Sequence, residues 1–170
     1  MNKNILSIFV SLIVIATLVT PVFAKTKTEI QAIQMGTIDF TSAEKVLETP
    51  NGKIQQFWGL DGTGVVTLTL SDGVTVIDTF ATFSETHLKA KDSTTLGFAD
   101  GKGMMITKML WESETVSGGF EGVIQYTTVA PSPTEMKCTY KGFGAYEGQT
   151  LKMIGTAGPG IQTYTGTLIS

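Results

Sequence analysis

Alternation of apolar and polar residues at period two runs through most of this chain, and it breaks at short clusters of Gly, Asp, Asn, Ser and Pro. Runs rich in β-branched and aromatic residues occupy 65–70, 74–83, 94–99, 104–112, 120–129, 136–141, 151–156 and 161–169. Between them stand turn signals: Asn51-Gly52, Asp61-Gly62, Asp72-Gly73, Asp100-Gly101, Ser117-Gly118-Gly119, Pro131-Ser132-Pro133 and Gly158-Pro159-Gly160. Short, evenly spaced strands of this kind predict an all-β domain, an antiparallel closed β-barrel of about eight strands. Helix is confined to one candidate, Ser42–Glu48, where Thr41 and Glu44 have the spacing of a capping box. Residues 25–29 read as a loose leader.

One hairpin can be laid out residue by residue. A two-residue turn at Asp72-Gly73 sets Thr69 opposite Val76 and Thr67 opposite Asp78. Val66, Leu68, Leu70, Ile77, Ala81 and Phe83 then share one face, and Asp78 stands among threonines as a solvated acid. Val74, Val76 and Phe80 lie on that polar side too. The 104–112 run is apolar on both faces, with Met105, Met109 and Trp111 on one and Met104, Ile106 and Leu110 on the other. Strands apolar on both sides require a covered exterior, supplied by the N-terminal segment or by a neighbouring subunit.

The aromatics are placed beside glycines. Phe120-Glu121-Gly122, Tyr146-Glu147-Gly148 and Tyr164-Thr165-Gly166 each set an aromatic two residues before a glycine. In a strand both lie on one face, so the ring is expected to cover the bare backbone where a sheet bends towards closure. After Tyr146 and Gly148 the next apolar residues, Leu151 and Met153, have the opposite parity, which predicts a bulge at Gly148.

The start of the chain reads as an export signal. Lys3 precedes the apolar run Ile5–Val19, Thr20-Pro21 ends it, and Val22-Phe23-Ala24 places a small residue before the polar Lys25. Cleavage after Ala24 leaves residues 25–170 as a single barrel domain in a secreted or extracytoplasmic protein. The alternative is an uncleaved membrane anchor, since Ile5–Ala24 carries no charge.

Composition narrows the partners. Net charge is −3, or −4 without Lys3, and the chain contains no arginine. Scattered lysines without a guanidinium argue against nucleic acid and against strong attraction to anionic lipid. After signal cleavage no membrane partner is expected. The single Cys138 alternates with Met136 and Tyr140, so it reads as a buried thiol rather than a nucleophile. The single His87 has no metal-ligand spacing around it and reads as a surface or turn residue. No zinc pattern, nucleophile elbow or phosphate loop is present, and Asp61-Gly62-Thr63-Gly64 reads as a hairpin turn. No metal or cofactor is therefore expected. Glu121 and Glu147 occupy equivalent motif positions, but inward Phe120 and Tyr146 would turn both acids to solvent.

The closing third of the chain carries a family resemblance. Lys141-Gly142-Phe143-Gly144-Ala145-Tyr146-Glu147-Gly148, then Gly155-Thr156, then Tyr164-Thr165-Gly166-Thr167-Leu168 resembles the last strands of the allene oxide cyclase and dirigent barrels. It is similar as well to exported bacterial and archaeal proteins with the same ending. The resemblance implies an eight-stranded antiparallel barrel, often trimeric, with an apolar interior. Cyclases of this type fold a fatty-acid epoxide inside the barrel, and dirigent proteins orient phenoxy radicals. No catalytic position of either family maps onto this chain.

Two functions follow as expectations. The first is a secreted barrel that binds a small apolar ligand or assembles with itself, without chemistry. Its ligand-lining candidates are Met105, Met109, Trp111, Tyr126, Met136 and Tyr140. The second is an isomerase or cyclase acting on an apolar substrate. That reading needs an inward carboxylate or tyrosine hydroxyl with a polar partner, facing an open cavity.

Overall fold

Nine strands in one antiparallel sheet make up almost all of the computed structural model, which describes residues 25–50, 54–91, 102–129, 134–157 and 161–170. They are β1 (Lys27–Asp39), β2 (Lys45–Glu48), β3 (Ile54–Leu70), β4 (Val76–Lys91) and β5 (Lys102–Ser113), followed by β6 (Gly118–Val129), β7 (Thr134–Gly144), β8 (Thr150–Ala157) and β9 (Ile161–Ile169). From β3 to β9 each strand pairs with the next, and β1 closes the circle by pairing with both β9 and β3. The result is a closed eight-stranded barrel, as the periodicity predicts, with β2 as an extra strand. The predicted strand at 94–99, the turns at 51–52, 100–101, 131–133 and 158–160, and the export segment at 1–24 lie outside the described residues.

The N-terminal part of the barrel departs from expectation. Residues 27–29 are strand rather than leader, and Thr26 exchanges backbone hydrogen bonds with Ser170. The helix expected at Ser42–Glu48 is absent. A single 3-10 turn at Phe40–Ser42 is capped by Asp39, whose carboxylate accepts from the Thr41 amide at 2.8 Å, and β2 follows. Both β1 and β2 run along the same edge of β3, so the turn works as a corner between two strand segments.

Asp61-Gly62-Thr63-Gly64 is not a hairpin turn. It lies in mid-β3, paired on one side with β1 and on the other with β4. The glycine serves close approach: a Cβ on Gly64 would meet the Met35 carbonyl oxygen at 2.3 Å and Gly36 Cα at 2.7 Å. This seam closes the barrel.

The β3–β4 hairpin keeps the expected Thr69–Val76 pair, but a bulge follows, and Asp78 then pairs with Leu68 instead of Thr67. One extra residue reverses every later side chain of β4. Phe80, Thr82, Thr86 and Leu88 are buried, Ala81 is half-buried, and Phe83 faces outward. Near Gly148 the ladder does break, as a turn between β7 and β8 rather than a bulge, with Gly148 at φ +85°.

The aromatic rings cover glycines across strands rather than along them. Gly155 pairs with Tyr164, whose ring a Cβ there would strike at 2.3 Å, and Gly122 pairs with Tyr140 in the same way. Directly paired residues lie closer than residues two apart on one strand, which decides which ring reaches the gap.

Candidate functional site

Inside the barrel the ligand-lining candidates pack against one another. Met109, Trp111, Met136 and Tyr140 belong to a cluster that also holds Phe80, Phe120 and Tyr164, while Met105 joins Phe57, Leu60 and Leu88 at the other end. Tyr126 is in β6, and its side chain lies outside the described residues. Trp111 and Tyr140 stack with ring centroids 4.7 Å apart, and both are fully buried. Two groups in this stack have no oxygen or nitrogen partner: Trp111 Nε1, and the Tyr140 hydroxyl, which has only the weak Cys138 thiol beside it. Between the two clusters the Thr86 and Thr107 hydroxyls hydrogen-bond each other at 3.1 Å.

Each end carries an aromatic cover. Phe40, from the 3-10 turn, meets Phe57 edge-on at 5.8 Å. At the opposite end Tyr146 reaches back from the β7–β8 turn to lie 4.8 Å from Phe120 and 5.6 Å from Phe80.

Tyr146 also completes a polar knot that sequence reasoning missed. Asp78, expected at the surface, is 4 % exposed. Its Oδ1 accepts from the Thr79 amide at 2.8 Å and the Thr115 hydroxyl at 3.0 Å. Its Oδ2 accepts from the Ser113 hydroxyl and from the Tyr146 hydroxyl. Burial raises the Asp78 pKa, but the four hydrogen bonds together outweigh it and hold the carboxyl below its ordinary value. Tyr146 is pushed up to about 12 by burial and by donation to Asp78. A carboxylate offers about four acceptor positions, and here four donors fill them. Nothing remains on Asp78 to take a proton from a substrate, and the knot instead ties β4 to two neighbouring turns.

The remaining titratable groups are dispersed. Cys138 is buried and its thiol is raised to about 11 by desolvation, as a structural cysteine should be. His87 sits within β4 rather than in a turn, where Nδ1 accepts from the Gly59 amide at 3.2 Å and Nε2 lies 3.5 Å from Glu85. It thereby pins the irregularity between Phe57 and Leu60 in β3. Glu121 and Glu147 are both exposed, and Glu121 pairs in register with Lys141. Among the described residues no group of three or more His, Cys, Asp or Glu could hold a metal ion.

Outside the barrel the surface divides. Across β3 to β7 runs an open trough of about 810 Å³, floored by Phe83, Leu110 and Val123 and edged by Glu85, Lys108 and Glu121. Lys108 and Glu85 pair at 3.1 Å across it. On the other side of the barrel, apolar residues stay in the open: Ile33 is 53 % exposed, Met35 57 % and Ile161 52 %. Compared with known protein families and with curated proteins, the chain matches none.

Proposed function

We propose that this is an exported, non-catalytic β-barrel that acts by assembling with copies of itself through its outer surface. The observation that carries the reading is the contrast between inside and outside. Of the residues expected to line a ligand cavity, Met105, Met109, Trp111, Met136 and Tyr140 are packed at 0–6 % exposure, whereas Ile33, Met35 and Ile161 are more than half exposed. Met35 pairs with Ile161 in register and Ile33 lies two residues along the same face, and it is contiguous rather than scattered exposed apolar residues that mark an association surface. Among the described residues the buried carboxylate is Asp78, and its acceptor positions are already occupied. Sedimentation of the purified protein over a hundredfold range of concentration tests the reading. A monomer throughout would overturn it. Export is tested separately, by mass spectrometry of protein recovered outside the cytoplasm, which should find Lys25 at the N-terminus.

A second reading has one observation in its favour. The Trp111 Nε1 and Tyr140 hydroxyl donors lie in one stack without an oxygen or nitrogen partner. Buried donors without partners are rare, and a small apolar ligand carrying a carbonyl or ether oxygen would satisfy them. A fluorescent apolar probe that binds the protein and quenches Trp111 would support this use of the interior.

A further inference from the structure

Ile33, Met35, Val65, Ile154 and Ile161, all exposed, lie within a larger face that carries no charge. On β1 the outward side chains between Glu29 and Asp39 are Gln31, Ile33, Met35 and Thr37. Beside it, β3 presents Thr63, Val65, Thr67 and Thr69. On the other flank β9 presents Ile161, Thr163, Thr165 and Thr167. The neutral surface continues onto β4 at Ala81, meeting the trough at Phe83, and onto β8 at Ile154 and Thr156. Charges appear at its borders, with Glu29 and Lys152 at one end and Asp39, Asp61 and Glu85 at the other. The outward faces of β5 to β7 are different in kind, with Lys108, Glu112, Glu121, Lys137 and Lys141 all exposed.

Resting on the assembly reading above, we infer that the neutral face of β8, β9, β1, β3 and β4 is the surface on which a second copy of this chain docks. Depletion of charge, more than bulk hydrophobicity, is what sets interface cores apart from ordinary surface. The chain is net negative, so two copies repel except where such a face meets its like. Threonine hydroxyls both donate and accept, so a threonine-rich face can hydrogen-bond to its own copy without complementary charges. Four outward residues on each of β9, β1 and β3 span roughly 20 Å along the strands, with two each on β8 and β4 at the flanks. Measured around the barrel wall this is less than half of the roughly 800 Å² that each partner buries in a standard interface, so it forms the interface core and the charged border must supply the rest as a polar rim. A lipid bilayer is a poor occupant, because the charges of β5 to β7 circle the barrel at the same height and would be buried with it.

The test uses the full chain, recovered in the form the cell leaves it. Thr67 and Thr163 flank Ile33 in register, so Thr67→Lys and Thr163→Lys together place two charges at the centre of the face. The wild type is expected to sediment as an assembly and the double variant as a folded monomer, while Val123→Lys on β6 remains assembled. A wild type that is monomeric overturns the assembly reading itself. An assembly that survives the double variant but is lost in Val123→Lys leaves that reading standing and overturns the choice of face. Thiol protection covers the case in which the lysines prevent folding. In Thr163→Cys the new thiol is expected to resist alkylation when the protein is concentrated and to react on dilution, and in Val123→Cys the thiol is expected to react at both concentrations. Protection of residue 163 that does not depend on concentration would show the face covered by the chain's own N-terminal segment, and would overturn docking of a second copy.

Discussion

Asp78 shows how much a single side chain can bind together when all its acceptor positions are used. Because its folded-state pKa lies below the unfolded value of 3.8, its contribution to stability is complete above that value. It is lost as the pH falls below 3.8 through the folded-state value. Urea unfolding at pH 7 and pH 3 should therefore show a smaller acid-sensitive loss in Asp78→Asn than in the wild type, since the variant keeps the lowered carboxyls of Asp39 and Asp72 but has none at position 78 to protonate. At pH 7 the same substitution should cost about 2 kcal/mol, the usual scale for hydrogen bonds to a charged group. Tyr146 has the opposite sign. Its pKa is raised from 10 to about 12, so its contribution is complete below pH 10 and lost as the pH rises towards 12. Tyr146→Phe should remove that alkaline loss. A variant pair whose pH profiles parallel the wild type would show that the knot does not exist in solution.

Among the elements, the β1–β3 seam and the β7–β8 turn use glycine for different reasons, and substitutions should separate them. A Cβ at Gly148 meets nothing within 4 Å, so Gly148→Val adds only the strain of a left-handed backbone, about 1–2 kcal/mol. Gly64→Ala must push two backbones apart at the closure and should cost more, about 2–4 kcal/mol. Urea midpoints that reverse this order would place closure elsewhere. The same elements show what periodicity can and cannot read. Strand β7 was legible because large apolar residues alternate cleanly with polar ones, and β5, β6, β8 and β9 because runs of apolar, β-branched and aromatic residues stand between turn signals. β1 was not, because its inward positions include Gln34 and Gly36 while Ile33 and Met35 point out. The N-terminal half of β3 was hidden by Asp61-Gly62, which has the residues of a turn but is used for close approach. Asp78 was misplaced by a single bulged residue, and no local pattern in 76–79 announces it. Met105, Met109, Trp111, Met136 and Tyr140 do face inward, but whether they enclose a space depends on how eight strands close, which no one strand encodes.

For the molecule as a whole, the decisive question is whether the barrel is a filled support for an outer surface or a container. Packing favours the support: both ends are covered by aromatic rings and the widest side chains are fully buried. Against it stands the Trp111–Tyr140 stack, whose two donors have no oxygen or nitrogen partner. The Tyr140 hydroxyl separates the two cases. Burial strips water from it, leaves it only the weak contact of the neighbouring Cys138 thiol, and raises its pKa well above 10. In a filled core, Tyr140→Phe removes a desolvated hydroxyl and keeps the ring in its stack, so the variant should match the wild type or exceed it by up to about 1 kcal/mol. The neutral face lies on other strands, so the assembly state should not change. If an oxygen-bearing ligand or a buried water accepts from that hydroxyl, the variant should instead lose about 1–3 kcal/mol. A ligand, unlike a water, would also be found in organic extracts of the wild type and be reduced in the variant. Thermal unfolding of the two proteins, read beside those extracts, therefore decides whether the barrel works through its surface or through its interior.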